Sequence, residues 1–479
     1  MWALGVFMER FAMTDLWSPV RYGNNSPTPR KDGDHRTDAE KDYDRILFSG
    51  AVRRLADKTQ VFPLDKNDSV RKRLTHSHEV ANLAKSIGLR VFLQNENAFQ
   101  TKDFFRTVAP TLASAGIAHD LGNPPFGHQG EAAIQQWFAK SADWIFTKVK
   151  PKGSDLSEAL QHNYREEFAN FDGNPQSLRL IAKLQTAQGN KGLDLTAATL
   201  ASSMKYVVGA GNTEKNAGKK KMGYFCSEQA IVIFARSKTG LKEGQRHPVA
   251  WITEAADDTA YSVLDLEDSI KKGILSPEDV LNSLRSDCLT RDKDVVNELV
   301  EKFKSVDEVH RAPSIRREVK SGYLRSILID HLVKHAAEKF LHLNASILDL
   351  TNDSELLDDN PIASKLKEIA LQFAFLSTPV LKEELLGKNA IVRLIDEFWF
   401  AITDRKDPLD IHSKRLDAKS RLIWSIISDN YIEASRIDNC EDGDCRNLRY
   451  RELRLLTDMV SGMTDKFAIE LDRTLQSLQ

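Results

Sequence analysis

Apolar side chains recur three and four positions apart along most of this chain, the spacing of a buried helical stripe. Ile46, Leu47, Val52 and Leu55 form the first stripe, broken by Arg53 and Arg54, and Pro63 in TQVFPL argues against its continuation. The pattern restarts over residues 68–87 through Val80, Leu83, Ala84 and Ile87, with Asp68 or Ser69 placed as the cap. An apolar run over residues 109–118 then meets Gly122-Asn123-Pro124-Pro125, a helix stop. A new helical pattern continues from His128 to Trp137 and Phe138. Asp172-Gly173-Asn174-Pro175 predicts a turn, followed by a helix through Leu178, Leu180, Ile181 and Leu184. LTAATLASSMKYVVG predicts another helix, with Lys205 near its end. The short runs AIVIFA and PVAWI are compatible with strands but read better as buried helix segments in this context. Beyond residue 268 helical patterns alternate with polar breaks, and NASILDLTNDSELLDDNP is the most loop-like interval. The expectation is an all-α fold, with the basic loop GNTEKNAGKKKMGY as the place for a minor hairpin.

Composition changes this picture little. The 479 residues are 41% hydrophobic and 28% charged, ordinary for a globular protein with a large core. A net charge of -2 gives no global pull toward nucleic acid or an anionic membrane, so anion binding must come from local clusters such as residues 71–73 or 219–221. The four cysteines, Cys226, Cys288, Cys440 and Cys445, are too few for a disulfide scaffold and lack CxxC spacing, which fits a reducing cytoplasm. No apolar run approaches the ~20 residues that cross a bilayer. The opening MWALGVFMERFAM lacks the basic n-region and long apolar core of a signal peptide. Its first twelve residues read as an extension with little structure, and residues 20–45 as a polar surface arm.

Candidate chemistry centres on residues 113–137, where His119 and Asp120 stand side by side at a helix end. An imidazole beside a carboxylate suits a divalent metal of intermediate hardness. Across the following loop, His128 and Glu131 share one helix face, close enough for the carboxylate to orient the ring. His76 upstream and Asp257 or Asp258 downstream complete a metal-ligand set. Asp257 is preferred because Tyr261 and Asp265 follow it four and eight positions on, along nearly the same face. Arg73 lies one turn before His76 and is placed for phosphate; Arg71 reads as surface. His78 sits roughly 200° around the helix from His76 and is not a ligand.

A His, a distant His-Asp pair and a final Asp resemble the signature of the HD metal-dependent phosphohydrolases. RRLADKTQVFPL, RLTHSHEV, AHDLGNPPFGHQGE and EAADDTAYSVLDLED occur in that order and resemble motifs of the bacterial deoxyguanosine triphosphate triphosphohydrolases. The resemblance implies a helical HD core over residues 41–275, after an N-terminal arm (1–40) and before a helical C-terminal region (276–479). It implies His76, His119, Asp120 and Asp257 as ligands of Mg or Mn, with Fe or another transition metal as the alternative. It implies His128 and Glu131 as the catalytic dyad, Gln60 and Tyr261 at the deoxyribose, and Lys205 and Lys221 on the triphosphate. Asn174 and Asp265 are further pocket residues. The implied reaction is hydrolysis of a deoxynucleoside triphosphate to the deoxynucleoside and inorganic triphosphate. Related enzymes form homo-oligomers, commonly hexamers, and some respond to nucleotides or single-stranded DNA. Two other readings stay open: a different HD phosphatase or phosphodiesterase reaction, and a non-catalytic nucleotide- or DNA-binding regulator.

Overall fold

A computed structural model describes residues 15–478 except 30–31, 66, 102, 158, 186–190, 216, 287–291 and 438–446. The predicted N-terminal extension and Cys288, Cys440 and Cys445 lie outside the described residues. Among the described residues there is no strand, only isolated β-bridges, and the all-α expectation holds. Among its described residues the basic loop forms no hairpin ladder: Val208 and Met222 meet in a single parallel bridge. Both short apolar runs are helical, within Gln229–Thr239 and Pro248–Lys271. No helix among the described residues is long and apolar enough to cross a membrane.

The centre of the fold is α2 (Arg73–Gln94), packed against α3 (Ala109–Ala118), α8 (Pro248–Lys271) and α9 (Pro313–His342). Between α3 and α8 in the chain come α4 (His128–Ile145), α5 (Gly173–Arg179), α6 (Ala197–Ser202) and α7 (Gln229–Thr239). The C-terminal helices α10 (Thr378–Thr403), α11 (Leu448–Gly462) and α12 (Asp465–Ser477) close the other side, with α10 lying along α4. The main hydrophobic core runs from Leu16 to Leu475, and a small second cluster joins Val61, Phe62 and Val70 to Ala374 and Val380.

Three local expectations are corrected. The segment read as a surface arm is exposed over most of its described residues between 23 and 36, but both ends are anchored: Arg21 is 2% exposed and donates to Asp42 at 2.7 Å and Asp38 at 3.0 Å, and just before the segment Trp17 Nε1 donates to the Phe99 carbonyl. Its helix, α1 (Asp38–Leu47), starts early because Thr37 and Glu40 form a capping box. Second, α2 begins at Arg73, not at Asp68 or Ser69. Ser69 is held in a turn by the Asn67 side chain, and Lys72 forms a bridge with Thr59. The Arg73 N–H goes to the Lys58 carbonyl at 3.1 Å, which lays Gln60 beside the start of α2. Third, the predicted turn at residues 172–175 is the start of α5. Asp172 Oδ1 accepts from the Asn174 N–H at 2.8 Å, and Pro175 sits in the first turn, where its missing N–H costs no hydrogen bond.

Candidate active site

Four side chains from three helical segments converge. His76 is one turn into α2, His119 and Asp120 follow α3, and Asp257 lies mid-way along α8. His76 Nε2 is 3.2 Å and His119 Nε2 3.5 Å from Asp257 Oδ1, and His119 Nε2 is 3.8 Å from Asp120 Oδ1. One ligand atom each from His76, His119 and Asp120 lies within 4.8 Å of the others, close enough to share an ion. His119 Nδ1 donates to the Gly116 carbonyl at 2.7 Å, which points Nε2 toward the carboxylates. That Nε2 is buried and has no hydrogen-bond partner. An orphaned imidazole nitrogen facing two carboxylates is a donor set that fits a divalent cation. Asp258 points elsewhere, pairing with Lys367 at 2.8 Å, and His78 is exposed.

The electrostatics agree with this geometry. Burial alone would raise the Asp120 carboxyl, but Arg73, His119 and His76 hold it below its ordinary range. Arg73 Nη1 donates to Asp120 Oδ2 at 2.5 Å, and Asn123 Nδ2 donates to the other oxygen. Burial would also raise Asp257, yet the neighbouring histidines and Lys205 push it well down. Both carboxylates are therefore ionised.

The dyad sits at the start of α4. His128 Nδ1 is 2.9 Å from Glu131 Oε2, and Glu131 Oε1 accepts from the Gly173 N–H at 2.7 Å. Glu131 is thus fixed from the first residue of α5, while the His128 side chain is 87% exposed and open to a ligand. The hydrogen bond to Glu131 raises the His128 pKa, against the opposing charges of Arg73 and Lys221. Gly127 precedes the dyad with φ 54°, and a Cβ there would lie 2.5 Å from Arg73 Nη2. Only glycine lets the loop pass this close to the guanidinium.

Basic groups flank the cluster. Lys205 Nζ lies 3.5 Å from Glu254 and 4.0 Å from Asp257, and lines a small pocket with His119, Asn174 and Asp257. Lys221 Nζ donates to Asp172 at 2.6 Å and is half exposed. Asn174 Nδ2 donates to the same carboxylate at 2.7 Å. Gln60 has a buried Oε1 with no partner. Tyr261 is stacked on Phe375, with ring centroids 5.4 Å apart and planes 15° from parallel, so one ring face is already covered. Asp265 is fully buried, neither oxygen has a partner, and burial with Asp268 and Asp257 nearby drives its pKa well up. Arg71 is not a surface residue: its side chain is 9% exposed and pairs with Glu79, Glu267 and Asp268 at 2.6–2.9 Å.

The HD-domain family model matches residues 73–261, the stretch that carries all four converging side chains. A deoxyguanosinetriphosphate triphosphohydrolase-like protein of Listeria monocytogenes is 34% identical over 97% of this chain and 99% of its own length. The deoxyguanosinetriphosphate triphosphohydrolase of Enterobacter sp. strain 638 is 31% identical, covering 92% and 94% of the two chains. This chain belongs to the deoxyguanosinetriphosphate triphosphohydrolase family. As a member of that family it is an HD-domain hydrolase. Two further residues help build the site in this dGTPase-family chain. Glu254, 4% exposed, links Lys205 to Arg246, whose Nη1 donates to its carboxylate at 2.8 Å. Its position one turn before Asp257 was a readable signal. Asp172 joins Lys221 to Asn174, and its place at a helix start was hidden by the turn reading.

Proposed function

We propose that this protein hydrolyses a deoxynucleoside triphosphate, dGTP by the names of its relatives, at the α-phosphorus. Water adds to the α-phosphorus, the bond from phosphorus to the 5′-oxygen breaks, and that oxygen takes a proton. The products are deoxynucleoside and inorganic triphosphate. The observation that carries this reading is the pairing of an ion-fitting cluster with a separate, solvent-facing His128–Glu131 dyad on either side of Arg73.

His76, His119, Asp120 and Asp257 would hold the ion, Mg or Mn, with Fe also compatible with two nitrogens and two carboxylates. When bound, it supplies Lewis-acid polarisation of a phosphoryl oxygen. Arg73, Lys205 and Lys221 supply positive charge along the triphosphate. The Glu131 carboxylate keeps the proton of neutral His128 on Nδ1 and leaves Nε2 basic, ready for proton transfer at the reacting centre. Gln60, Asn174, Tyr261 and Asp265 are assigned to the sugar and the adjoining pocket.

Product analysis tests this. The protein with Mn or Mg is given each of the four dNTPs and GTP, and the products are resolved by anion exchange. Intact triphosphate with deoxynucleoside, and a rate for dGTP above the rest, is the expected result. Orthophosphate or a nucleoside monophosphate would assign a different HD reaction. Full turnover by His128→Ala would remove the dyad from the mechanism.

A further inference from the structure

The turn that delivers His128 is strained and is held from the far end of the chain. Phe126 is a non-glycine residue at φ 61°, directly followed by Gly127 at φ 54°. A left-handed pair of this kind persists where its surroundings fix it. Its N–H donates to Asp465 Oδ1 at 3.0 Å, across 339 positions of sequence. The other oxygen of the same carboxylate accepts from the Thr59 N–H at 2.9 Å, across 406 positions. Asp465 is 1% exposed, so both bonds are screened from water. Lys58 reinforces the junction from a second direction, donating to the carbonyls of Asn123 (2.5 Å) and Ser461 (2.8 Å). The Phe126 ring lies against Gly387 of α10, where a Cβ would come within 2.4 Å of it. Thus the segment leading to Gln60 and the loop leading to His128 are stapled to one another through a single carboxylate.

We propose that Asp465 is a positioning residue for the hydrolytic reaction: its two oxygens hold the Phe126 turn and the Gln60 segment in fixed relation, presenting His128 to the metal cluster. This rests on the catalytic reading of His128 above. The carboxylate has two acceptor oxygens for two backbone donors; Asn offers one acceptor, and Ala none.

The test compares Asp465→Ala, Asp465→Asn and a control, Asp472→Asn, which loses a paired carboxylate on the same helix (2.6 and 2.8 Å to Arg393) away from the loop. Full-length proteins are assayed for kcat and KM with dGTP and Mn, and hydrogen–deuterium exchange is read on peptides spanning residues 123–131. Asp465→Ala is expected to lower kcat roughly 10- to 100-fold, the scale of an ångström-sized misplacement. KM should move less than about threefold, because the charges on the triphosphate are untouched. Exchange over residues 123–131 should quicken. Asp465→Asn should fall between Ala and the native protein, and it carries the test if the Ala variant does not fold. Asp472→Asn should keep kcat and the loop's exchange. Folded Asp465 variants with native kcat, or with unchanged exchange over residues 123–131, would overturn the proposal. If the native protein hydrolyses no dNTP, the functional reading fails, and exchange alone still decides whether Asp465 holds the loop.

Discussion

Two of the buried charge clusters in this helical core are bonded in opposite ways. Around Arg179, which is fully buried, Nε and Nη2 donate to Asp458 at 2.6–3.0 Å, and Nη1 donates to Glu228 at 2.9 Å and Ser227 at 3.1 Å. Every nitrogen of the guanidinium has a protein partner, and the cluster ties α5 to α11. The other cluster, His76, His119, Asp120 and Asp257, leaves His76 Nδ1 and His119 Nε2 without partners. A buried polar atom without a partner costs about 1–3 kcal/mol, which a bound cation would offset. At Arg179 the saturated charge joins two helices; at His119 an open ring nitrogen faces two carboxylates.

The contrast can be broken most severely at the metal cluster. Asp257→Asn should abolish tight Mn binding, read by calorimetry, and lower turnover roughly 10³-fold or more, the scale of several kcal/mol of lost charge stabilisation. Its thermal midpoint should stay within about 3 °C of the native protein. Asp458→Ala should do the reverse. Removing one partner of a buried pair costs about 3–5 kcal/mol, measurable by urea denaturation, while Mn affinity is retained. A smaller effect is expected from Glu131→Gln. The Glu131 carboxylate stabilises the His128 imidazolium and so raises its pKa. Removing that charge lowers the pKa, so neutral His128 survives to lower pH. The acidic limb of the kcat/KM profile should therefore move to lower pH, with a maximum reduced about tenfold as the ring loses its orienting partner. An acidic limb that stays in place would dissociate His128 from the rate.

The helical fold was legible because apolar spacing survives wherever a helix has one buried face, as in residues 109–118 and 248–271. The two failures at helix starts share a cause. Asp68 and Ser69 have the chemistry of caps, but the backbone before Arg73 is committed to the Gln60 segment, and a tertiary bridge outranks a local preference. Asp172-Gly173-Asn174-Pro175 suits a turn and a helix start equally, and only the packing of α5 against the loop after Asp120 decides between them. The same logic divides the site. His119, Asp120, His128 and Glu131 lie within thirteen residues and announce themselves by spacing. Arg71 looked like a surface charge because its partners Glu267 and Asp268 are almost 200 positions away. Asp465 stands in no motif at all; its importance comes from two backbone N–H groups that the sequence cannot place beside it.

Hydrolysis of dGTP in ¹⁸O-labelled water tests the central claim most directly, with the products separated and weighed by mass spectrometry. Attack at the α-phosphorus places one ¹⁸O in the released triphosphate and none in the deoxynucleoside. Label in the deoxynucleoside, or labelled orthophosphate in place of triphosphate, would contradict the account.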